Sequence, residues 1–213
     1  RHTVWQVPAR FNEPLFEAFA GIPQLYIADG HHRAASASRT RERFQEQNQA
    51  HTGEEDYNRF LGVIFPASQL RILPYNRVVK DLNGYTPETL LKELEKRFAV
   101  SETDEPVPGN SQVFHMYLSD RWYRLEYPGS TENLSPVERL DVSLLQNLVL
   151  EPLFNITDPR SDKRIDFIGG IRGTDALEEA VKGGEWTVAF SMYPTTVEDL
   201  IAISVANETM PPK

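Results

Sequence analysis

The apolar runs of this chain do not alternate strand, helix, strand along its length. That order constrains the fold more than any residue count. Short β-prone runs at 4–7, 24–28, 60–65, 70–73 and 76–79 are separated by helical segments at irregular intervals. Residues 112–118 and 122–127 alternate apolar and polar side chains around Ser119-Asp120-Arg121, the period-two pattern of a β-hairpin. Two more strands are expected at 165–168 and 186–192, flanking a helix over 174–182. Strict βαβ repetition would point to a doubly wound sheet. This irregular order predicts an α+β fold with a mixed sheet and packed helices.

Helix starts are marked by side chains that can satisfy free backbone N–H groups. Thr86 precedes Pro87, as N-cap and first helical residue, and Leu90, Leu91, Leu94 and Phe98 form the apolar stripe behind them. Ser135 and Glu138 are spaced as a capping box, which predicts a helix to about residue 150, stopped by Pro152. Thr195 and Glu198 are spaced the same way before the last helix. A short helix over 14–20 should close at Gly21 and Pro23. The run 60–65 contains no polar side chain and predicts a strand buried on both faces. Residues 47–58 read as a polar loop with Glu54-Glu55-Asp56 in solvent, and 101–110 as a surface connection. His115, Trp122 and Trp186 are expected in structural positions on the sheet.

Composition narrows the function classes. At 213 residues a chain can bury roughly 70% of its unfolded surface without staples. We expect a single α+β region over 1–213, with a subdivision near 81–110. The absence of cysteine excludes disulfides, zinc ribbons and thiol catalysis. A net charge of −9 argues against a nucleic-acid-coating surface, although Arg33, Arg39, Arg41 and Arg43 share the first long helix. No apolar run approaches the roughly 20 residues of a membrane span and no signal peptide is visible, so a cytoplasmic protein with no membrane partner is expected. The start at Arg1 and the end at Lys213 suggest the C-terminal part of a longer protein.

One segment reads as chemistry. A short strand, Leu25-Tyr26-Ile27-Ala28, meets Asp29-Gly30-His31-His32-Arg33, and a helix continues to Gln47. A helix N-terminus presents unpaired N–H groups and a positive dipole end, and Arg33 adds a planar fork suited to phosphate or carboxylate oxygens. Adjacent residues on a helix point about 100° apart, so His31-His32 is not expected to ligate a metal. Three other groups have a structural and a ligand-binding reading. Gly169-Gly170-Ile171-Arg172-Gly173 is a second phosphate loop or a tight turn. Thr195-Thr196 is an N-cap pair or a ligand contact. Arg77 faces a cleft near the phosphate or pairs with an acid.

The string Tyr26-Ile27-Ala28-Asp29-Gly30-His31-His32-Arg33 resembles the hallmark of domain-of-unknown-function family 1015, whose members are often described as ParB-like or HTH proteins. Ile72-Leu73-Pro74-Tyr75-Asn76-Arg77-Val78-Val79 strengthens the match, as does Asp162-Lys163-Arg164-Ile165-Asp166-Phe167-Ile168-Gly169-Gly170. Pro194-Thr195-Thr196-Val197-Glu198 and Met210-Pro211-Pro212-Lys213 extend it. The DGHHR string is also similar to that of archaeal free-serine kinases and, more distantly, to the phosphate motifs of ParB and sulfiredoxin. The resemblance implies a ParB/sulfiredoxin-like core binding ATP or ADP with magnesium, and a small hydroxyl acceptor such as free serine. Gly30, His31, His32 and Arg33 would hold phosphate oxygens, with Asp29 at the reacting centre or on magnesium. Asp29 and His32 are thus the catalytic candidates, and Arg77, Thr195 and Thr196 complete the candidate nucleotide contacts. The glutamate thought to be the base in those kinases has no counterpart in this chain. The alternative reading is a nucleotide-sensing, ParB-like regulator without kinase activity. Nucleic acid is not an expected partner.

Overall fold

Local helix signals recur in the computed structural model, which describes residues 3–211 apart from the side chain of His31. Pro212 and Lys213, quoted in the resemblance, lie outside the described residues. The chain divides into two compact units, Arg1–Ile64 and Phe65–Lys213, and residues 81–110 lie inside the second.

The first unit carries α1 (Asn12–Ala20) and α2 (His31–Gln47). Beyond α2, Glu55 organises its loop. Its carboxylate accepts the N–H groups of Thr52 at 2.7 Å and Gly53 at 2.9 Å, and the Thr52 hydroxyl at 3.0 Å. These donors hold its pKa down at about 2, so this member of the acidic stretch is a loop tie as well as a solvated charge. Tyr57 stacks with Phe44 at 5.8 Å and with His51 at 5.7 Å. The strands expected at 4–7, 24–28 and 60–65 are absent. Leu61 is 93% exposed and Phe60 69%, the opposite of a strand covered on both faces. A strand exists through ladder hydrogen bonds to a neighbour, and these segments pair with nothing among the described residues. Residues 70–73 are likewise unpaired.

The second unit is built on β1 (Tyr75–Val79), α3 (Pro87–Leu94), β2 (Ala99–Thr103), β3 (Val113–Leu118) and β4 (Arg121–Glu126). It continues with α4 (Asp141–Leu145), β5 (Ile165–Gly169), α5 (Asp175–Lys182), β6 (Val188–Met192) and α6 (Val197–Val205). The strands form one sheet in the order β2-β4-β3-β6-β1-β5, and each neighbouring pair is antiparallel. The sheet is therefore antiparallel rather than mixed. β5 and β6, joined by α5, run in the same direction, but β1 lies between them and opposes both. The β3–β4 turn uses Ser119 and Asp120 at φ 51° and 62°, the two left-handed positions of a tight hairpin. β2 occupies part of the expected connection at 101–110. Its polar composition suits an edge strand.

Helices cover both faces of the sheet. On one, Phe114, Met116, Phe190 and Met192 pack with Leu90, Leu94, Leu145 and Phe154. On the other, Val78, Tyr117, Ile168 and Ala189 meet Ala176 and Leu177 of α5, flanked by Trp122 and Trp186. Trp122 Nε1 donates to Glu178 Oε1 at 2.9 Å. His115 is buried in β3, and its Nδ1 has no partner among the described residues.

Two helix starts differ from expectation. Ser135 and Glu138 do exchange hydrogen bonds at 2.9 and 3.3 Å, but Leu140 is extended. The regular helix therefore begins only at Asp141 and widens into a π turn over Gln146–Leu150. The last capping box joins Thr196 and Asp199, one residue beyond the expected pair.

The glycine-rich turn after β5 has a packing explanation. A Cβ on Gly170 would stand 2.6 Å from the Pro74 ring and 2.8 Å from its carbonyl oxygen, while Gly170 N–H donates to that oxygen at 2.8 Å. Gly173 sits at φ 72°, ψ −179°, a region essentially confined to glycine. Gly170→Ala should therefore cost about 1–3 kcal/mol through overpacking, read as a lower denaturation midpoint. An unchanged midpoint would show that the Pro74 contact is slack.

Candidate phosphate site

The turn before α2 folds as it does because Gly30 can enter the left-handed region. Its φ is 82° and its ψ 25°, a conformation with no steric cost for glycine. Gly30 takes the N-cap position, and its carbonyl accepts the Ala34 N–H at 2.9 Å. Being glycine, it brings no side chain to cap the first N–H groups, and the first turn contains no acidic residue. Among the described residues no side chain accepts from those donors, which lie at the positive end of a 17-residue helix.

Arg33 turns back toward that end. A Cβ built on Gly30 would lie 3.7 Å from Arg33 Nε and 3.9 Å from Nη2, so the guanidinium lies against the N-cap rather than along the helix. It forms no ion pair among the described residues. Asp29 and His32 flank the turn and are exposed. The expected contact through the His31 side chain lies outside the described residues. Fixed N–H donors, an unpaired guanidinium and open access suit anion capture. Asp29 supplies a carboxylate of the kind that holds magnesium beside a phosphate. The small residues of α2 do not pack it on a sheet within its own unit; Ala34 and Ala37 are only half-buried.

The other candidates belong to the second unit and do different work. Arg77 is 7% exposed. It donates to the Tyr75 carbonyl and stands 5.5 Å over the Phe167 ring. Burial pushes its pKa down to about 10. It has no acid partner among the described residues; a backbone carbonyl and an aromatic face satisfy the cation. The Thr196 hydroxyl is committed to its helix cap, accepting the Asp199 N–H at 3.1 Å and donating to Asp199 Oδ2 at 2.8 Å. Thr195 and Thr196 line a cleft of about 340 Å³ with Tyr193, Asp141 and Asp199. Asp141 was not singled out from the sequence. Its one signal is an acidic residue among Leu140, Leu144 and Leu145, where a helix would bury its apolar face.

The description "Protein of unknown function (DUF1015)" matches residues 1–143. The chain belongs to the DUF1015 family. No protein with a curated description matches it in sequence. Two solved structures are similar to this DUF1015 chain. One is a glutamate-to-alanine mutant of a free serine kinase in complex with AMP, 17% identical with a TM-score of 0.45, covering 98% of this chain and 79% of the other. The second is a conserved hypothetical protein from Pyrococcus furiosus, 15% identical with a TM-score of 0.40, covering 98% and 82%. Superpositions this loose establish no shared activity. Among the described residues, no helix is long and apolar enough to cross a membrane.

Proposed function

We propose that this chain is a nucleotide-dependent phosphotransferase whose phosphate-holding element is the turn from Gly30 to Arg33, acting on a small hydroxyl acceptor such as free serine. The observation that carries the reading is the Arg33 guanidinium folded against a left-handed, side-chain-free N-cap. Phosphoryl transfer asks a protein mainly for positioning and charge stabilisation. The helix N–H groups and Arg33 bind and orient phosphate oxygens. His32, exposed on the first turn, adds a donor that can hold or move a proton beside them. ATP or ADP supplies the phosphoryl group, and Asp29, next to Gly30 in the turn, would hold its magnesium. The likeness of the DGHHR string to ParB and sulfiredoxin motifs fits a nucleotide-binding core of that type.

Phosphorus NMR of nucleotide, magnesium and an amino-acid mixture with this chain tests the reading. A phosphomonoester signal that requires one hydroxyl compound and is lost in His32→Ala is expected. Nucleotide binding with no acceptor-dependent transfer would favour the regulator reading.

A further inference from the structure

Three polar side chains stand in register across the middle of the sheet in the Phe65–Lys213 unit, and the phosphate turn makes no use of them. His115 of β3 lies opposite Arg124 of β4 on one side and Ser191 of β6 on the other. Cross-strand partners share a face. His115 is two residues from Tyr117, so the row lies on the face that α5 covers in part. His115 is 2% exposed and Ser191 1%, and Nδ1 of the ring has no partner among the described residues. Arg124 pairs with Glu126 on its own strand, and the Glu105 carbonyl and carboxylate face the ring from the β2–β3 connection. That connection is lightly held. Residues 104–109 make no backbone–backbone hydrogen bond among the described residues. Thr103 Oγ1 accepts the Glu105 N–H at 3.1 Å, and Pro108 is the one residue of the six that is buried. Few backbone bonds and little buried surface mark a segment that opens before its surroundings. β3, by contrast, has ladders on both sides and sends Phe114 and Met116 into the core behind it.

We propose that residues 104–109 form a proton-operated lid: they close over neutral His115, and a proton on the ring releases them and turns the imidazole out to water. The neutral ring carries one donor and one acceptor, whereas the imidazolium carries two donors and a charge. Under the lid that charge has no water and faces the Arg124 guanidinium, with the Glu105 carboxylate as its one opposing charge from the connection. Burial holds the ring below its ordinary 6.5, and Arg124 adds to the fall against the Glu105 carbonyl. Once open, the ring regains its ordinary affinity for the proton. The open form therefore binds the proton more tightly, and its share grows as pH falls from 6.5 toward the closed ring's lower value. Above 6.5 the ring is neutral in both forms and the lid stays shut. A second titrating group stands at the far end, where Asp141 Oδ1 accepts the Gln112 N–H at 2.8 Å and the carboxyl titrates at about 6. Tyr117 and Lys182 lie further along the same face and engage one another. The device lies wholly within Phe65–Lys213 and does not rest on the phosphate turn.

The test is an NMR pH series on the isotope-labelled 213-residue chain, reading the His115 ring and the backbone order parameters together. The ring should titrate below 6.5. Through the same midpoint the Glu105, Val107 and Gly109 amides should pass from rigid values of about 0.85 to below about 0.6, while β3 and β6 amides keep theirs. Asp141→Asn should leave that transition where it is, which separates the two titrating groups. His115→Gln, which takes up no proton, should keep the lid ordered down to pH 5. A lid that loosens in His115→Gln as in the parent would overturn the proposal. So would a lid whose order is unchanged across the series, a ring that titrates at or above 6.5, or a lid transition lost in Asp141→Asn. Should His115→Gln fail to fold, the parent alone decides: separate midpoints for ring and lid, or β3 amides that loosen in step with the lid, contradict a local opening.

Discussion

Phe190→Ala should lower the unfolding free energy of the Phe65–Lys213 unit by about 3–5 kcal/mol, the usual cost of removing a fully buried aromatic ring. Phe190 has no solvent exposure. It lies on β6 opposite Arg77 of β1 and Met116 of β3, at the middle of the sheet, and meets Phe154 edge to face at 6.1 Å. Neighbours held by ladders on both sides cannot collapse into the gap, so the cavity term adds to the lost transfer energy. Urea denaturation followed by tryptophan fluorescence reads the loss, since Trp122 and Trp186 belong to the same unit. A cost below about 1.5 kcal/mol would mean that the two helical layers close over the void.

Asp141 should make the protein less stable as pH rises through mildly acidic values. Burial raises its carboxyl from the ordinary 3.8 to about 6, and the nearby Asp199 charge adds to the effect against the opposing Gln112 hydrogen bond. Below 3.8 the group is protonated in folded and unfolded chains alike and exerts no pH dependence. Between 3.8 and about 6 the unfolded chain releases the proton while the folded chain keeps it, so stability falls with pH and levels off above 6. That displacement corresponds to about 3 kcal/mol in all. Asp141→Asn retains the acceptor for Gln112 N–H and cannot ionise. The difference in unfolding free energy between parent and variant should therefore change by about that amount across the window. Thermal or urea unfolding over a pH series measures it. Parallel curves for the two proteins would mean that the carboxyl is better solvated than its burial indicates.

Elements whose signals are local were legible in the sequence. The bounds of α2 follow from Gly30 at one end and the charged, uninterrupted run to Gln47. Thr86-Pro87 places α3, and the alternation around Ser119-Asp120 places the central hairpin. Elements defined by what lies beside them were not. The run at 60–65 is as apolar as any strand in the sheet and 24–28 is largely apolar, yet no neighbour among the described residues offers them a ladder, whereas the polar Ser101-Glu102-Thr103 joins the edge of the sheet because β4 is alongside. Sheet direction was hidden for the same reason: β5, α5 and β6 follow one another as strand, helix and strand, and nothing local says that β1 inserts between the two strands. Thr195-Thr196-Val197-Glu198-Asp199 contains two overlapping capping boxes, and only the backbone chooses Thr196 with Asp199.

The candidate sites divide along the same line. The phosphate turn is contiguous in sequence, so Gly30 and Arg33 could be read together from their order. The cleft around Asp141 draws on residues near 112, 139–141 and 193–199, which the sheet brings together at one end, so no spacing rule announces it. Arg77 was suspected because arginine within a strand needs a partner. It found the Tyr75 carbonyl on its own strand and the Phe167 ring on the adjacent one, and its own segment does not reveal the second.

Calorimetric titration of the whole chain with ADP or ATP in the presence of magnesium, comparing the parent with Arg33→Ala, bears most directly on the phosphate turn. Arg33 sits on an exposed helix turn, so the substitution leaves the fold intact. Removing its guanidinium from the N-cap should weaken nucleotide binding by about 1.5–3 kcal/mol, the value of charged hydrogen bonds to phosphate. Identical affinity in the two proteins, or no nucleotide binding by the parent, would contradict the account.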